Sequence, residues 1–217
     1  MSANEISPAC IGLNELLVSA RLEPLSPETV ARFDSYLNLI LRWNTRMNLT
    51  AIRDRQDILT RHFVESIACA QSLPQGIGTL LDFGSGAGFP GVPIALCRPE
   101  IAVTLAESQN KKASFLREVV RSVGLQTVVL AQRAEAVGAQ FDCVTLRAVD
   151  EMARAVRSAT ALVRESGWLA LMTTAADLPE MQQVAGANFD FSQAIPLPGS
   201  EERILALGLK RPPGRNS

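Results

Sequence analysis

Leu80-Leu81-Asp82-Phe83-Gly84-Ser85-Gly86-Ala87-Gly88-Phe89-Pro90-Gly91 decides how the rest of the chain reads. A short apolar run, a carboxylate and then four glycines within eight residues describe a buried parallel strand ending in a tight loop. Glycines in such a loop permit positive φ and let a ligand approach the backbone closely. A helix is expected to begin near Val92.

Two ligands compete for this loop. Gly86, Gly88 and Gly91 satisfy the G-x-G-x-x-G spacing of a dinucleotide site, whereas Gly84, Gly86 and Gly88 give the G-x-G-x-G spacing of an S-adenosylmethionine (SAM) site. Asp82 favours SAM, because a carboxylate repels a pyrophosphate and attracts a sulfonium and an ammonium group. Pro90 also lacks the N–H that a phosphate would use. Asp82, Gly84, Gly86, Gly88 and Phe89 are therefore the expected cofactor loop.

Downstream, strands and helices alternate. Ile101–Glu107, Thr127–Leu130, Phe141–Leu146 and Trp168–Thr173 read as strands; Lys111–Val123 and Glu151–Arg164 read as helices. Phe189–Ile195 and Arg203–Leu209 flank a Pro-Leu-Pro-Gly turn and read as an antiparallel pair. The expectation is an α/β, Rossmann-like SAM-dependent methyltransferase fold: a mostly parallel seven-stranded sheet with a closing antiparallel hairpin, spanning residues 77–217. Ligands of such sheets lie over the carboxyl ends of the strands. Glu107 stands there after the second strand, at a separation from Gly84 that suits ribose hydroxyls, Ala134-Glu135 follows the third strand, and Arg147 ends the fourth.

Upstream, residues 1–76 read as a helical extension packed on that core. Leu13–Ala20 suggests one helix; Ser26 can cap a second, with Val30, Phe33, Leu37 and Leu41 at helical spacing, running to about Arg46. Asp54 or Asp57 can start a third that reaches Ser72. Between Arg42 and Arg61 five arginines outnumber Asp54 and Asp57, which suits either a phosphate-binding edge or an ordinary solvated face. His62 reads as a hydrogen-bonded structural residue and Trp43 as core.

Composition narrows the rest. A 217-residue chain, 47% hydrophobic with net charge −1, has no overall pull toward nucleic acid, so an RNA partner would be held by local patches. Cys10, Cys69, Cys97 and Cys143 lie far apart and the chain has one histidine, so free thiols and no metal site are expected. With no signal-like N-terminus and no run near ~18 apolar residues, a cytoplasmic monomer without membrane contact is expected.

Several short stretches together resemble one family. These are Arg42-Trp43-Asn44 with Met47-Asn48-Leu49-Thr50, Arg61-His62-Phe63-Val64-Glu65-Ser66, Leu81 to Pro93, and Arg147-Ala148. The resemblance is to the small-subunit (16S) ribosomal RNA guanine-N(7) methyltransferases, once called glucose-inhibited division protein B. It implies SAM contacts at Gly84, Phe89, Ala134, Glu135 and Arg147, and a ribose-binding acid at Glu107. The family often has aspartate where Glu65 and Glu107 stand. The implied partner is 16S rRNA or the small ribosomal subunit, with Arg42, Asn44, Arg46, Asn48, Arg61 and His62 as RNA-binding candidates.

The residues also bear on the acceptor atom. An exocyclic amine calls for an Asn/Asp-Pro-Pro-aromatic motif where this chain has Leu146-Arg147-Ala148-Val149, and a pyrimidine carbon calls for a cysteine nucleophile, whereas Cys143 falls inside a strand. Guanine nitrogen 7 offers an in-plane lone pair and needs no general base. Arg147 has a positioning role at most, and either Arg147 or the Arg42–Arg61 group suits the guanine O6. The alternatives are a small-molecule SAM methyltransferase, an NAD-dependent dehydrogenase and a non-catalytic RNA-binding module of the same fold.

Overall fold

The protein is described by a computed structural model covering residues 8–212. Cys10 lies outside the described side chains; Cys69, Cys97 and Cys143 are free thiols. Helix α1 (Pro8–Ser19) starts earlier than its apolar residues suggest. In α2 (Pro27–Asn44) the Ser26 hydroxyl accepts from the Thr29 N–H (3.2 Å) and Pro27 opens the first turn. Its buried face carries Val30, Phe33, Tyr36, Leu37 and Ile40. Asp54 caps the next helical run, accepting from the Asp57 N–H at 3.0 Å. That run comprises α3 (Arg55–Ile58), a π-helical stretch (Leu59–Val64) and α4 (Glu65–Ser72).

The sheet strands are β1 (Thr79–Phe83), β2 (Ala102–Ala106), β3 (Val128–Leu130), β4 (Phe141–Arg147), β5 (Val163–Thr174), β6 (Phe189–Phe191), β7 (Ile195–Pro196) and β8 (Arg203–Lys210). Their order is β3-β2-β1-β4-β5-β8-β6, with β7 also pairing β8. The first five run parallel, and β8 runs antiparallel between β5 and β6. Helices α5 (Gly91–Cys97), α6 (Asn110–Ser122), α7 (Met152–Thr160) and α8 (Leu178–Ala185) make the connections. β1 and β4 are buried almost throughout, as strands covered on both faces must be.

The sheet therefore has eight strands rather than seven, because the expected Phe189–Ile195 strand is interrupted at Ser192–Ala194 and resumes as β7. The helix expected to reach Arg164 stops at Thr160, and β5 begins at Val163, extended by a register shift opposite Phe141 and Cys143.

Helical section and sheet share one hydrophobic cluster that runs from Phe33, Tyr36 and Phe63 to Leu80, Leu105 and Phe115. Tyr36 joins the two parts. Its ring stacks on Phe63 (5.3 Å) and its hydroxyl donates to the Ala87 carbonyl (2.5 Å), so α2 props the glycine loop from below. β2 and β3 lie on one side of β1 and β4 and β5 on the other, and this reversal opens a crevice at the strand ends.

Candidate functional site

A cleft of about 660 Å³ occupies that crevice. The carboxyl ends of β1, β2 and β4 and the turn after β3 line it, through Phe83–Ala87, Phe89, Ala106–Gln109, Gln132–Glu135 and Arg147–Glu151. Leu49, Thr50, Ala51 and His62 close the opposite wall.

The loop is built by its backbone. The Ser85 carbonyl accepts from the N–H groups of Gly88 (2.6 Å) and Phe89 (3.2 Å). Gly86, at φ 57°, donates its N–H to Glu107 Oε2 (2.9 Å). The nearest protein atom to a Cβ added at Gly86 is the Gly84 carbonyl oxygen at 3.9 Å, so nothing in the protein fills that space. Glu107 is buried, its other oxygen accepting from the Gln109 N–H at 2.7 Å, and so fixes the loop to the end of β2. Ala134 is buried and Glu135 exposed in a single 3₁₀ turn (Ala134–Ala136). An open glycine floor with a carboxylate at its edge fits SAM.

Asp82 and Gly88 stand elsewhere than expected. Asp82 is 1% exposed and off the cleft wall, where it accepts from the Gly91 N–H (3.2 Å) and the Thr145 hydroxyl (3.0 Å). It clamps the loop to β4 instead of facing the amino-acid end of a ligand. Burial pushes its pKa up to about 6, against the hydrogen bonds from Ser85, Thr145 and Gly91. Gly88 also lies below the cleft, because a Cβ there would come within 2.8 Å of Tyr36 Oη and Val92 Cγ2.

Arg147 organises the far wall. Its guanidinium donates to the Arg61 carbonyl (2.6 Å), Glu65 Oε2 (2.9 Å), Ser66 Oγ (3.1 Å) and His62 Nδ1 (3.2 Å), and lies 5.8 Å from the Phe89 ring centroid. Burial lowers its pKa from the usual value, and Glu65 opposes that shift. Glu65, 1% exposed, is shared with Arg203 of β8, whose Nε donates at 2.7 Å. Arginine can only donate, so His62 Nδ1 accepts, and the ring proton sits on Nε2, which donates to Thr50 Oγ1 (2.8 Å). Burial, then the charges of Arg147, Arg61 and Arg203, lowers the His62 pKa to about 3, so the ring is neutral. It stacks on Phe89 at 4.7 Å. The π-helical turn carrying Arg61 and His62 is the local device that aims them, since such a turn displaces side chains from their α-helical positions.

The expected RNA-facing residues divide. Arg42, Arg46, Asn48 and Arg61 are exposed, and His62 lines the cleft. Asn44 is buried, and its side chain is spent inside the loop that follows α2: Nδ2 donates to the Thr50 and Ile52 carbonyls, and Oδ1 accepts from the Leu49 and Thr50 N–H groups. Sequence reading missed Arg203 and Thr50 as parts of this wall. Glu65 and Ser66 were visible only as members of a resembling stretch. Among the described residues no group of His, Cys, Asp and Glu could hold a metal, and no helix is long and apolar enough to cross a membrane.

Known proteins match this architecture. A methyltransferase from Pyrococcus furiosus aligns with a TM-score of 0.61 at 13% identity, over 83% of this chain and 98% of that one. A SAM-dependent methyltransferase from Aquifex aeolicus aligns at 0.56 and 15% identity, over 71% and 93%. In sequence, the "Ribosomal RNA small subunit methyltransferase G" of Roseiflexus sp. (strain RS-1) is 38% identical over 208 residues, covering 89% of this chain and 87% of that protein. The protein of the same name from Stenotrophomonas maltophilia (strain K279a) is 45% identical over 140 residues, 63% and 65% of the two. Residues 29–198 match the family described as GidB, rRNA small subunit methyltransferase G, and the chain belongs to that family.

Proposed function

We propose that this protein transfers the methyl group of SAM to nitrogen 7 of a guanine in the 16S rRNA of the small ribosomal subunit. The observation that carries the choice of atom is the state of His62: both ring nitrogens are engaged and the ring is neutral, so the cleft's one imidazole holds no free base. Nitrogen 7 needs none. It requires only in-line placement at about 3–3.5 Å from the methyl carbon. SAM supplies that carbon on a sulfonium, and the positive charge passes to the purine.

In this reading Gly84, Gly86 and Phe89 hold the amino-acid end of the cofactor, Glu107 accepts from the ribose hydroxyls, and Ala134-Glu135 border the adenine. Arg147 is a positioning residue that fixes Phe89 and His62. Residues 1–76 form the RNA-facing extension, with Arg42, Arg46 and Arg61 toward phosphates and Asn48 beside the cleft mouth; Asn44 contributes by shaping its loop. The protein works as a cytoplasmic monomer. In support of a monomer, Val18 and Val128 alone expose large apolar side chains among the described residues.

The test is incubation with methyl-labelled SAM and either 30S particles or deproteinised RNA from cells lacking the enzyme, followed by nucleoside analysis. Label at guanine N7 is expected. Label at an exocyclic amine, or on small molecules alone, overturns the proposal.

A further inference from the structure

A second concavity of about 490 Å³ lies outside the cleft, between the end of α2 and the start of α6. Arg42, Trp43, Arg46, Met47, Lys111 and Glu118 line it. Its one carboxylate is already committed: Glu118 accepts from the Trp43 indole N–H (2.9 Å) and pairs with Arg42. Arg46 and Lys111 are exposed and make no side-chain hydrogen bond or ion pair among the described residues. Two positive charges are thus left uncompensated in a protein whose net charge is −1. Trp43 meets Phe115 edge-on at 5.6 Å, anchored in the core at one side and bordering the groove at the other. Unpaired cations beside an aromatic ring and a thioether suit a nucleotide, whose phosphate meets the charges and whose base meets the apolar surface.

Continuity with the cleft selects the occupant. Met47 lines the groove while Leu49, Thr50 and Ala51 line the cleft, two to four residues on; Lys111 faces the groove and Lys112 the cleft. Met47 and Leu49 are separated by at most about 7 Å of chain. We infer that the groove binds a nucleotide flanking the target guanine on the same RNA strand, with Arg46 and Lys111 on its phosphate and Trp43 and Met47 against its base. This rests on the RNA reading of the cleft. An acidic protein surface is the competing occupant.

The experiment is a cycle between protein and RNA. Wild type and an Arg46→Ala/Lys111→Ala variant are titrated with an RNA fragment carrying the target site and with fragments shortened to end at the target on either side. The variant should bind the full fragment at least tenfold more weakly, with a log–log salt slope shallower by about 1.4, that is ~0.7 per single-strand phosphate contact. Its SAM affinity and melting temperature should match wild type. Shortening on one side should weaken wild type strongly and the variant little. Equal losses for both proteins, or a defect seen with 30S particles and not with naked RNA, would overturn the inference, the latter in favour of a protein contact. A wild type that binds the fragment with this pattern yet transfers no methyl would sink the proposed reaction while leaving the groove assignment standing.

Discussion

His62 and Asp82 are the two groups whose charge states the fold most alters, and they pull stability in opposite directions. The His62 pKa falls from 6.5 to about 3, so the unfolded chain takes up this proton first, and stability drops as pH falls below 6.5. Asp82 rises from 3.8 to about 6, so the native state takes up its proton first; that contribution is full below 3.8 and lost as pH rises through 6. Urea midpoints between pH 6.5 and 4 should therefore fall more steeply for Asp82→Asn than for wild type, and less steeply for His62→Gln. Parallel curves for all three proteins would show that neither group is perturbed. The same neutral histidine predicts a single-turnover methyl-transfer rate nearly flat from about pH 6 to 8.5, with His62→Ala changing the rate but not the shape. A tenfold rise per pH unit that vanishes in one variant would reveal a base.

The loop between β1 and α5 and the junction between α4, β4 and β8 are the elements that hold the site. Gly86 combines a left-handed φ with open space at its missing Cβ, so Gly86→Val strains the turn and intrudes where the cofactor is placed. Calorimetry should find SAM binding lost in a folded protein. Glu65 is buried between two arginines, and Glu65→Ala leaves the mostly buried Arg147 without its counter-charge. A stability loss of about 3 kcal/mol is expected by chemical denaturation. A loss within error would mean water replaces the carboxylate.

How much of this was legible differs from element to element for physical reasons. Strand ends are readable because burial on both faces forces apolar runs that stop where polar residues begin, which is how Glu107 and Arg147 were located. Asp82 was found and given the wrong neighbour, since a carboxylate before a glycine loop looks the same in sequence whether it points up to a ligand or down to Thr145 and Gly91. Arg203 carried no signal at all, because its partner Glu65 lies 138 residues away. The interruption between β6 and β7 escaped because a three-residue break in an extended segment leaves no periodicity behind.

At the scale of the whole molecule, a net charge of −1 means that RNA must be drawn by a local field, here the arginines around the end of α2 and the π-helical turn. Replacing Arg42, Arg46 and Arg61 by alanine should weaken RNA binding and flatten its salt dependence, while SAM affinity barely moves. Unchanged RNA affinity and slope would make that face purely structural. β8 has a further consequence, for the order in which the protein is made. It is the last strand in the chain, yet it sits inside the sheet between β5 and β6 and brings Arg203 to Glu65. At ~5–20 residues per second, Glu65 leaves the synthesis machinery roughly 7–28 s before Arg203 follows. Until then the growing polypeptide has a glycine loop but an unfinished wall, so nascent chains stalled before residue 203 should fail to retain labelled SAM, and those released at full length should capture it.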